Sequence, residues 1–317
     1  MRDAEFVTFG ASSLDRAQHL RKSADKLARN DSARAIVLWR GKPLLEAQAA
    51  SLVRVPLDHL ILKTATARIF LGLSGGNPVF AYDISAWQPD ADQDAVATSF
   101  FDATTQQHPD APKDTCFSEV RSVMAQLPRD DAELVVAAKG LFGWHLSHPR
   151  CAKCGAKTEV AEAGWQRNCP DCDAVHFPRT DPVVIMLITH GNKVLLGRSP
   201  QWPEKMYSLL AGFMEPGETV EAAVRREVME ETAVTVGKVG YLTSQPWPFP
   251  ASLMIGCYGV AEILDITLDE NELEDALWLS KEQLVDVLCG NSDEILPSRN
   301  GSIAQFLIEN WLKDSIA

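Results

Sequence analysis

The sequence predicts an α+β protein in three parts: an N-terminal α+β domain over residues 1–148, a four-cysteine ribbon over 149–178, and a second sheet-and-helix domain over 179–317. Three observations carry this division. Four cysteines fall within 22 residues and separate two stretches of alternating strand-like and helix-like segments. The apolar run Val183–Ile188 reads as a strand buried on both faces. A Glu-rich amphipathic helix lies beyond it. Hydrophobic residues make up 46% and charged residues 23%, which excludes a mainly disordered, collagen-like or coiled-coil chain. The longest apolar run, six residues, is far short of the ~20 a membrane span needs, so no membrane partner is expected. Met1–Glu5 lacks the basic and apolar regions of a secretory signal, and Ser315-Ile316-Ala317 is no organelle-targeting tail, so the expected location is cytoplasmic. The net charge of −13 opposes a general nucleic-acid-coating role. A phosphate-bearing substrate stays compatible where metal cations invert the local field.

In the first domain, Leu14, Ala17, Leu20 and Leu27 recur at helical spacing and predict an amphipathic helix over Ser13–Ala28. Ala35–Trp39 reads as a strand with its turn at Arg40–Pro43, and 67–73 with 78–82 as a hairpin around Ser74-Gly75-Gly76-Asn77. Gln88–Pro112 reads mostly as loop, followed by helices near Cys116–Gln126 and Asp130–His145. No internal repeat shows by motif, although both halves carry strand hairpins, as an old duplication would leave them.

The cysteines are spaced Cys151-x2-Cys154-x14-Cys169-x2-Cys172. Two such knuckles point four thiolates at one centre and satisfy Zn²⁺ in a closed tetrahedron. A closed site has no open position, so one structural zinc per chain is expected rather than a catalytic one. The alternative is four free thiols. Gly155 supplies the positive φ of a tight turn. His148 and His176 read as surface or packing residues.

In the last domain, Gly191-Asn192 turns Val183–Ile188 back into Lys193–Gly197. Pro216-Gly217 is a turn, Thr219 an N-cap, and a helix of about three turns comes next. Glu227, Glu230 and Glu231 share one face of it. They repel one another and stand near the C-terminal end, where the macrodipole disfavours anions. Hard cations such as Mg²⁺ or Mn²⁺ would relieve both penalties; a solvated charged face is the alternative. Ser244-Gln245-Pro246-Trp247-Pro248-Phe249-Pro250-Ala251-Ser252 is a stiff aromatic ledge with hydrogen-bonding ends at Gln245 and Ser252. The same residues would also suit a loop packing its aromatics inward. Strand-like runs at 239–243 and 253–263 and two helices complete the chain.

The segment from Gly212 resembles the Nudix box, Gly-x5-Glu-x7-Arg-Glu-apolar-x-Glu-Glu-x-Gly-apolar. Gly212, Glu218, Arg226, Glu227, Val228, Glu230, Glu231 and Val234 fall on its positions. Ala233 replaces the usual Gly, implying a different helix C-cap. The Ser244–Ser252 segment, the cysteine ribbon and Phe177-Pro178-Arg179-Thr180-Asp181-Pro182 resemble the NADH pyrophosphatase (NudC-like) branch, with Phe177 where a Tyr is usual. The resemblance implies a Nudix α/β/α sandwich with a mixed sheet. It implies two or three Mg²⁺ or Mn²⁺ ions held by Glu227, Glu230, Glu231, Glu272 and the Ala211 carbonyl, with Glu227, Glu230 and Glu231 catalytic. Arg226 and Glu218 would hold the loop and helix together. Substrate contacts would come from Phe177 and Phe213, flanking the nicotinamide, from Gln245, Pro246, Trp247, Pro248, Phe249, Pro250, Ala251 and Ser252, and from the late turn at Ala304. The implied reaction is hydrolysis of NADH or NAD⁺ to NMN(H) and AMP, with removal of NAD caps from RNA 5′ ends by the same chemistry, in a homodimer. Alternatives are a Nudix hydrolase of ADP-ribose or another dinucleotide, and a non-catalytic NAD-binding zinc-ribbon adaptor.

Overall fold

The structure, a computed structural model, describes residues 5–10, 13–89 and 104–315. The chain divides into two compact units. One comprises Ala11–Arg179 with Pro248–Ala251; the other comprises Met1–Gly10, Thr180–Trp247 and Ser252–Ala317.

The first unit holds strands β1 (Arg34–Trp39), β2 (Lys42–Glu46), β3 (Val55–Pro56), β4 (Ala67–Ser74), β5 (Asn77–Asp83) and β6 (Thr115–Phe117). They form a sheet in the order β4-β5-β1-β2-β6, with β3 also on β1. The central β1 is buried from Ala35 to Trp39, as its unbroken apolar run requires. Helices α1 (Ala24–Leu27), α2 (Val120–Val123) and α3 (Arg129–Ser147) accompany it. Two expectations fail here. The Ser13–Ala28 helix is reduced to a 3₁₀ segment, Gln18–Ser23, running into α1. The backbone of Asp15 is taken by Leu73 in a reciprocal bridge, and Ala17 then turns with φ 40°, so no helix can start at Ser13. The Cys116–Gln126 helix begins instead as β6, where Leu44 pairs with Phe117. The open edge of β2 and the burial of Phe117 override local helix propensity. Of the Gln88–Pro112 loop, 90–103 lie outside the described residues.

The ribbon adds β7 (Glu159–Ala161), β8 (Gln166–Asn168) and β9 (Val175–His176), in that spatial order. Arg167 ties it to α3. Its guanidinium donates to the Thr158 hydroxyl at 2.6 Å, to the Thr158 carbonyl at 2.9 Å and to His145 Nδ1 at 2.9 Å. Trp165 Nε1 donates to the Phe70 carbonyl at 2.7 Å.

The second unit holds β10 (Asp181–His190), β11 (Lys193–Arg198), β12 (Leu210–Phe213), α4 (Val220–Thr232), β13 (Val236–Trp247), β14 (Ser252–Ala261), β15 (Asp275–Ser280), α5 (Lys281–Leu288) and α6 (Ile303–Leu312). Its sheet runs β13-β14-β10-β11-β15, with β12 also on β10 and β14 parallel to β10. Successive β10 side chains point to opposite faces. Val184, Met186 and Ile188 pack with Ala223, Val224 and Val228 of α4. Ile185 and Leu187 pack with Leu284 and Val287 of α5 and with Leu307 and Trp311 of α6. This is an α/β/α sandwich around a mixed sheet.

The two sheets share one strand order. β5 lies parallel to β1 as β14 lies parallel to β10, and β3 sits on β1 as β12 sits on β10. They differ in the element after the short strand. β12 leads into the 13-residue α4, whereas β3 leads into a five-residue 3₁₀ turn, Leu60–Thr64, without a carboxylate. None of the described helices is long and apolar enough to cross a membrane.

Candidate active site and metal centres

The acidic site is built on α4. Thr219 Oγ1 accepts the Ala222 N–H at 3.3 Å and starts the helix as an N-cap should. Ala223, Val224 and Val228 bury one stripe, which fixes the helix rotation and sets Glu227 and Glu231 one turn apart beside the sheet. Both glutamates are buried, at 7% exposure each, while the side chain of Glu230 is 54% exposed. The loop after β14 is tied to the same end of α4: Asp269 N–H donates to the Glu231 carbonyl at 3.2 Å and Glu272 N–H to the Asp269 carbonyl at 3.1 Å. Carboxylate oxygens of Glu227, Glu231 and Glu272 thereby lie within 4.8 Å of one another.

One arginine organises the approach. Arg226 makes a two-pronged ion pair with Glu218 (2.6 and 2.9 Å) and reaches Glu227, Glu230 and the Phe213 carbonyl, each at 2.9 Å. Glu218 also accepts the Glu215 N–H at 2.9 Å. Hydrogen bonds from Arg226 and from that amide hold the Glu218 carboxyl down at about 2, and Glu218 in turn raises the Arg226 pKa. Glu231 behaves oppositely. Burial, then the charges of Glu227, Glu272 and Glu230, push it up to about 8. Burial also raises Glu227, against the pull of Arg226.

The donor set fits hard divalent cations on two grounds. Among the described residues Glu231 Oε2 is buried with no hydrogen-bond partner, an arrangement costing several kcal/mol for an ionised oxygen without a counter-charge. At Gly212 an added Cβ would fall 1.9 Å from Glu227 Cδ, so this backbone position is kept bare for the carboxylate. Ala211, beside it on β12, is exposed.

The ribbon knuckles repeat one geometry. Gly155 N–H donates to the Cys151 carbonyl and Asp173 N–H to the Cys169 carbonyl, with positive φ at Gly155 (80°) and Asp173 (55°). The sulfurs of Cys151 and Cys172 lie 3.6 Å apart and those of Cys154 and Cys169 3.4 Å apart. A tetrahedral Zn–S₄ centre with ~2.3 Å bonds requires S···S separations of about 3.8 Å, so the four thiols fit a closed structural zinc. His176 is no bystander: its Nε2 lies 3.2 Å from Cys151 Sγ. Such a contact orients a metal ligand from outside its shell, and a lone histidine four residues past the last cysteine gave little sign of it. Burial pushes the Cys151 thiol up, but the backbone amides of Cys154 and Lys153, with His176 and Cys172, outweigh it and bring the group to about 6.

The expected substrate residues are distributed more widely. Gln245–Ser252 is the end of the β13–β14 hairpin, with Trp247 paired to Ser252. Trp247 and Phe249 are half-buried, Pro246, Ala251 and Ser252 partly accessible, Pro248 buried and Pro250 exposed. Gln245 departs from the expectation that its amide serves a ligand. It is fully buried, donates from Nε2 to the Thr8 and Gly301 carbonyls and accepts the Ile303 N–H. The segment is therefore pinned to the turn that starts α6. Ala304 has its methyl in the core, which leaves only its backbone N–H, in the first turn of α6, for a ligand. Phe213 (58% exposed) belongs to the second unit and Phe177 (67% exposed) to the first.

Comparison with known proteins covers most of the chain. Residues 178–298 match the NUDIX domain, 146–177 the NADH pyrophosphatase zinc ribbon domain, and 32–144 the NADH pyrophosphatase-like rudimentary NUDIX domain. The "NAD-capped RNA hydrolase NUDT12" of Homo sapiens is 45% identical over 203 residues, 60% of this chain and 44% of that protein. The chain thus spans less than half the length of that relative. "Nudix hydrolase 19, chloroplastic" of Arabidopsis thaliana is 34% identical over 275 residues, 78% of this chain and 60% of that protein. The "NAD-capped RNA hydrolase NudC" of Mycobacterium bovis is 34% identical over 305 residues, 91% of each chain. With that relative matched over nine-tenths of its length, the glutamate helix, the cysteine ribbon and the repeated strand order have one common account: the chain belongs to the NADH pyrophosphatase (NudC-like) branch of the Nudix hydrolase family.

Proposed function

We propose that the protein hydrolyses the diphosphate of NADH or NAD⁺ to NMN(H) and AMP, and removes NAD caps from RNA 5′ ends by the same cleavage. The observation that carries this reading is the convergence of Glu227, Glu231 and Glu272 around a buried carboxylate oxygen that has no hydrogen-bond partner among the described residues. These three, with Glu230 and the Ala211 carbonyl beside them, would hold two or three Mg²⁺ or Mn²⁺ ions. Such ions would supply Lewis-acid polarisation of the phosphoryl oxygens and charge stabilisation of the leaving phosphate. The chain's own residues do the rest. Arg226 fixes the direction of Glu227 and Glu230 by ion pairs on one guanidinium. Glu230, outside the triad and open to solvent, takes the proton as water attacks one phosphorus and the bridging P–O bond breaks. The accessible residues of the hairpin, Trp247 and Ser252 among them, the first turn of α6 at Ala304 and the exposed ring of Phe213 receive the nucleotide, while the exposed ring of Phe177 serves the site of a neighbouring copy in the homodimer. Action as a homodimer in the cytoplasm, a structural zinc in each ribbon, and domains at 1–148, 149–178 and 179–317 belong to the same reading.

The test is product analysis. Purified protein with Mg²⁺ or Mn²⁺ is given NADH, ADP-ribose and NAD-capped RNA in parallel. NMNH and AMP from NADH, and NMN from the capped RNA, are expected faster than any cleavage of ADP-ribose. Preferential cleavage of ADP-ribose, or no cleavage of any with both metals, would remove the proposal.

A further inference from the structure

The hairpin tip Pro248–Ala251 clusters with the N-terminal unit, and inside that unit the Phe249 ring faces two cations. Arg121 Cζ lies 4.2 Å from the ring centroid and Lys139 Nζ 5.5 Å from it. Both are within the ~6 Å at which a ring's negative face attracts a cation. Arg121 is on α2 and Lys139 on α3, and Lys139 is fixed by donating to the Gly41 carbonyl at 3.2 Å. Lys42 adds a third positive charge and Glu119 one opposing charge. Burial lowers the pKa of both Arg121 and Lys139, and Glu119 only partly restores them. Half-buried cations of like sign repel each other, and an electron-rich ring face offsets that repulsion without adding a carboxylate. The ring of Phe249 is therefore already engaged with protein cations.

We infer that Arg121 and Lys139 are positioning residues for the substrate hairpin, and that Phe249 is its anchor rather than a platform for a nucleotide base. The inference rests on the reading of Gln245–Ser252 as the substrate-binding segment. It gives the rudimentary domain a task in the reaction: it presets the hairpin before the dinucleotide arrives. Ordering a loop in advance lowers the entropy cost of binding, and such an effect is uniform between bound substrate and transition state, so it falls on KM rather than kcat.

The full chain, loaded with zinc and Mg²⁺, is assayed with NADH. Arg121→Ala should raise KM about two- to thirtyfold, the range of cation–π strengths, with kcat within about twofold. Arg121→Lys should recover most of the loss. In a Phe249→Leu background, Arg121→Ala should add no further rise. Should Phe249→Leu fail to fold, Phe249→Tyr, which keeps the ring, must retain the sensitivity to Arg121→Ala. In the substrate-free protein, amide hydrogen exchange across 245–254 should quicken in Arg121→Ala while β10 is unchanged. Additive losses in the double variant, a fall in kcat at constant KM, or unaltered exchange would overturn the assignment. A parent protein that does not cleave NADH would remove the proposed function instead, and the exchange measurement would still decide whether Arg121 anchors the hairpin.

Discussion

Glu231 is held where its charge is least welcome. Its carboxyl is buried among Glu227, Glu230 and Glu272, and its pKa stands at about 8 against 4.5 for an exposed glutamate. The folded protein therefore binds this proton more tightly than the unfolded chain. The associated stability is fully present below pH 4.5 and is lost as pH rises through about 8. With zinc bound and no Mg²⁺ or Mn²⁺ added, the parent's melting temperature should fall across that window, and Glu231→Gln should flatten the slope. At pH 8, Mg²⁺ should raise the parent's melting temperature and leave Glu231→Gln nearly unmoved, while turnover in the variant drops about a hundredfold or more through lost charge stabilisation. A metal-independent melting temperature in the parent would contradict the ligand assignment. Glu227, Glu230 and Glu231 could be read as a candidate cation face because carboxylates at i, i+3 and i+4 share one side of a helix, whereas Glu272, 41 residues after Glu231, came only through the resemblance. Gln245 is not legible for the opposite reason: an amide serves a ligand or a backbone turn equally well, and only the fold shows that it meets Thr8, Gly301 and Ile303.

At the level of elements, the Glu-rich helix ends in a way its sequence concealed. The substitution of Ala233 for the usual glycine implied a different cap, yet Ala233 takes the left-handed conformation (φ 55°, ψ 15°) and donates to the Met229 carbonyl at 2.9 Å. The cap is kept, and an alanine strained by roughly 1–2 kcal/mol occupies it. Ala233→Gly should raise stability by about 1 kcal/mol, less than the full strain because glycine loses more entropy on folding. Denaturant melts with an unchanged m-value would measure it, and a loss of stability would show the strain to be absent. Elements set by local spacing, such as α4 and the two knuckles, could be read directly. The Ser13–Ala28 and Cys116–Gln126 segments could not, because partners distant in sequence, Leu73 and Leu44, claim their backbones.

Across the whole molecule, two sheets of one strand order have kept the fold and divided the chemistry. In the sequence the kinship showed only as strand hairpins in both halves, because a sheet core accepts any apolar residues in the right alternation and the helix that would have marked it is only a 3₁₀ turn in the first copy. The cysteine ribbon groups with that first copy, through Arg167 and Trp165. The two kinds of metal should therefore act on different units. Calorimetry should show zinc removal lowering a transition that Mg²⁺ does not shift, and Mg²⁺ raising one that persists without zinc. A single transition moved equally by both would refute the separation.

The parallel pairing of β10 with β14 has a consequence for how the chain is made. Asp181 pairs with Ser252, about 70 residues downstream. At a synthesis rate of roughly 5–20 residues per second, the strand emerges from the ribosome roughly 4–14 seconds before its neighbour exists. Its hairpin partner β11 can zip onto one side within that interval, but the other side, with the six-residue run Val183–Ile188 behind it, waits unpaired. Nascent chains of this protein thus pass through a stage with an open, strongly apolar strand edge. Slower elongation lengthens that exposure and with it the time in which the open edge can pair with another chain.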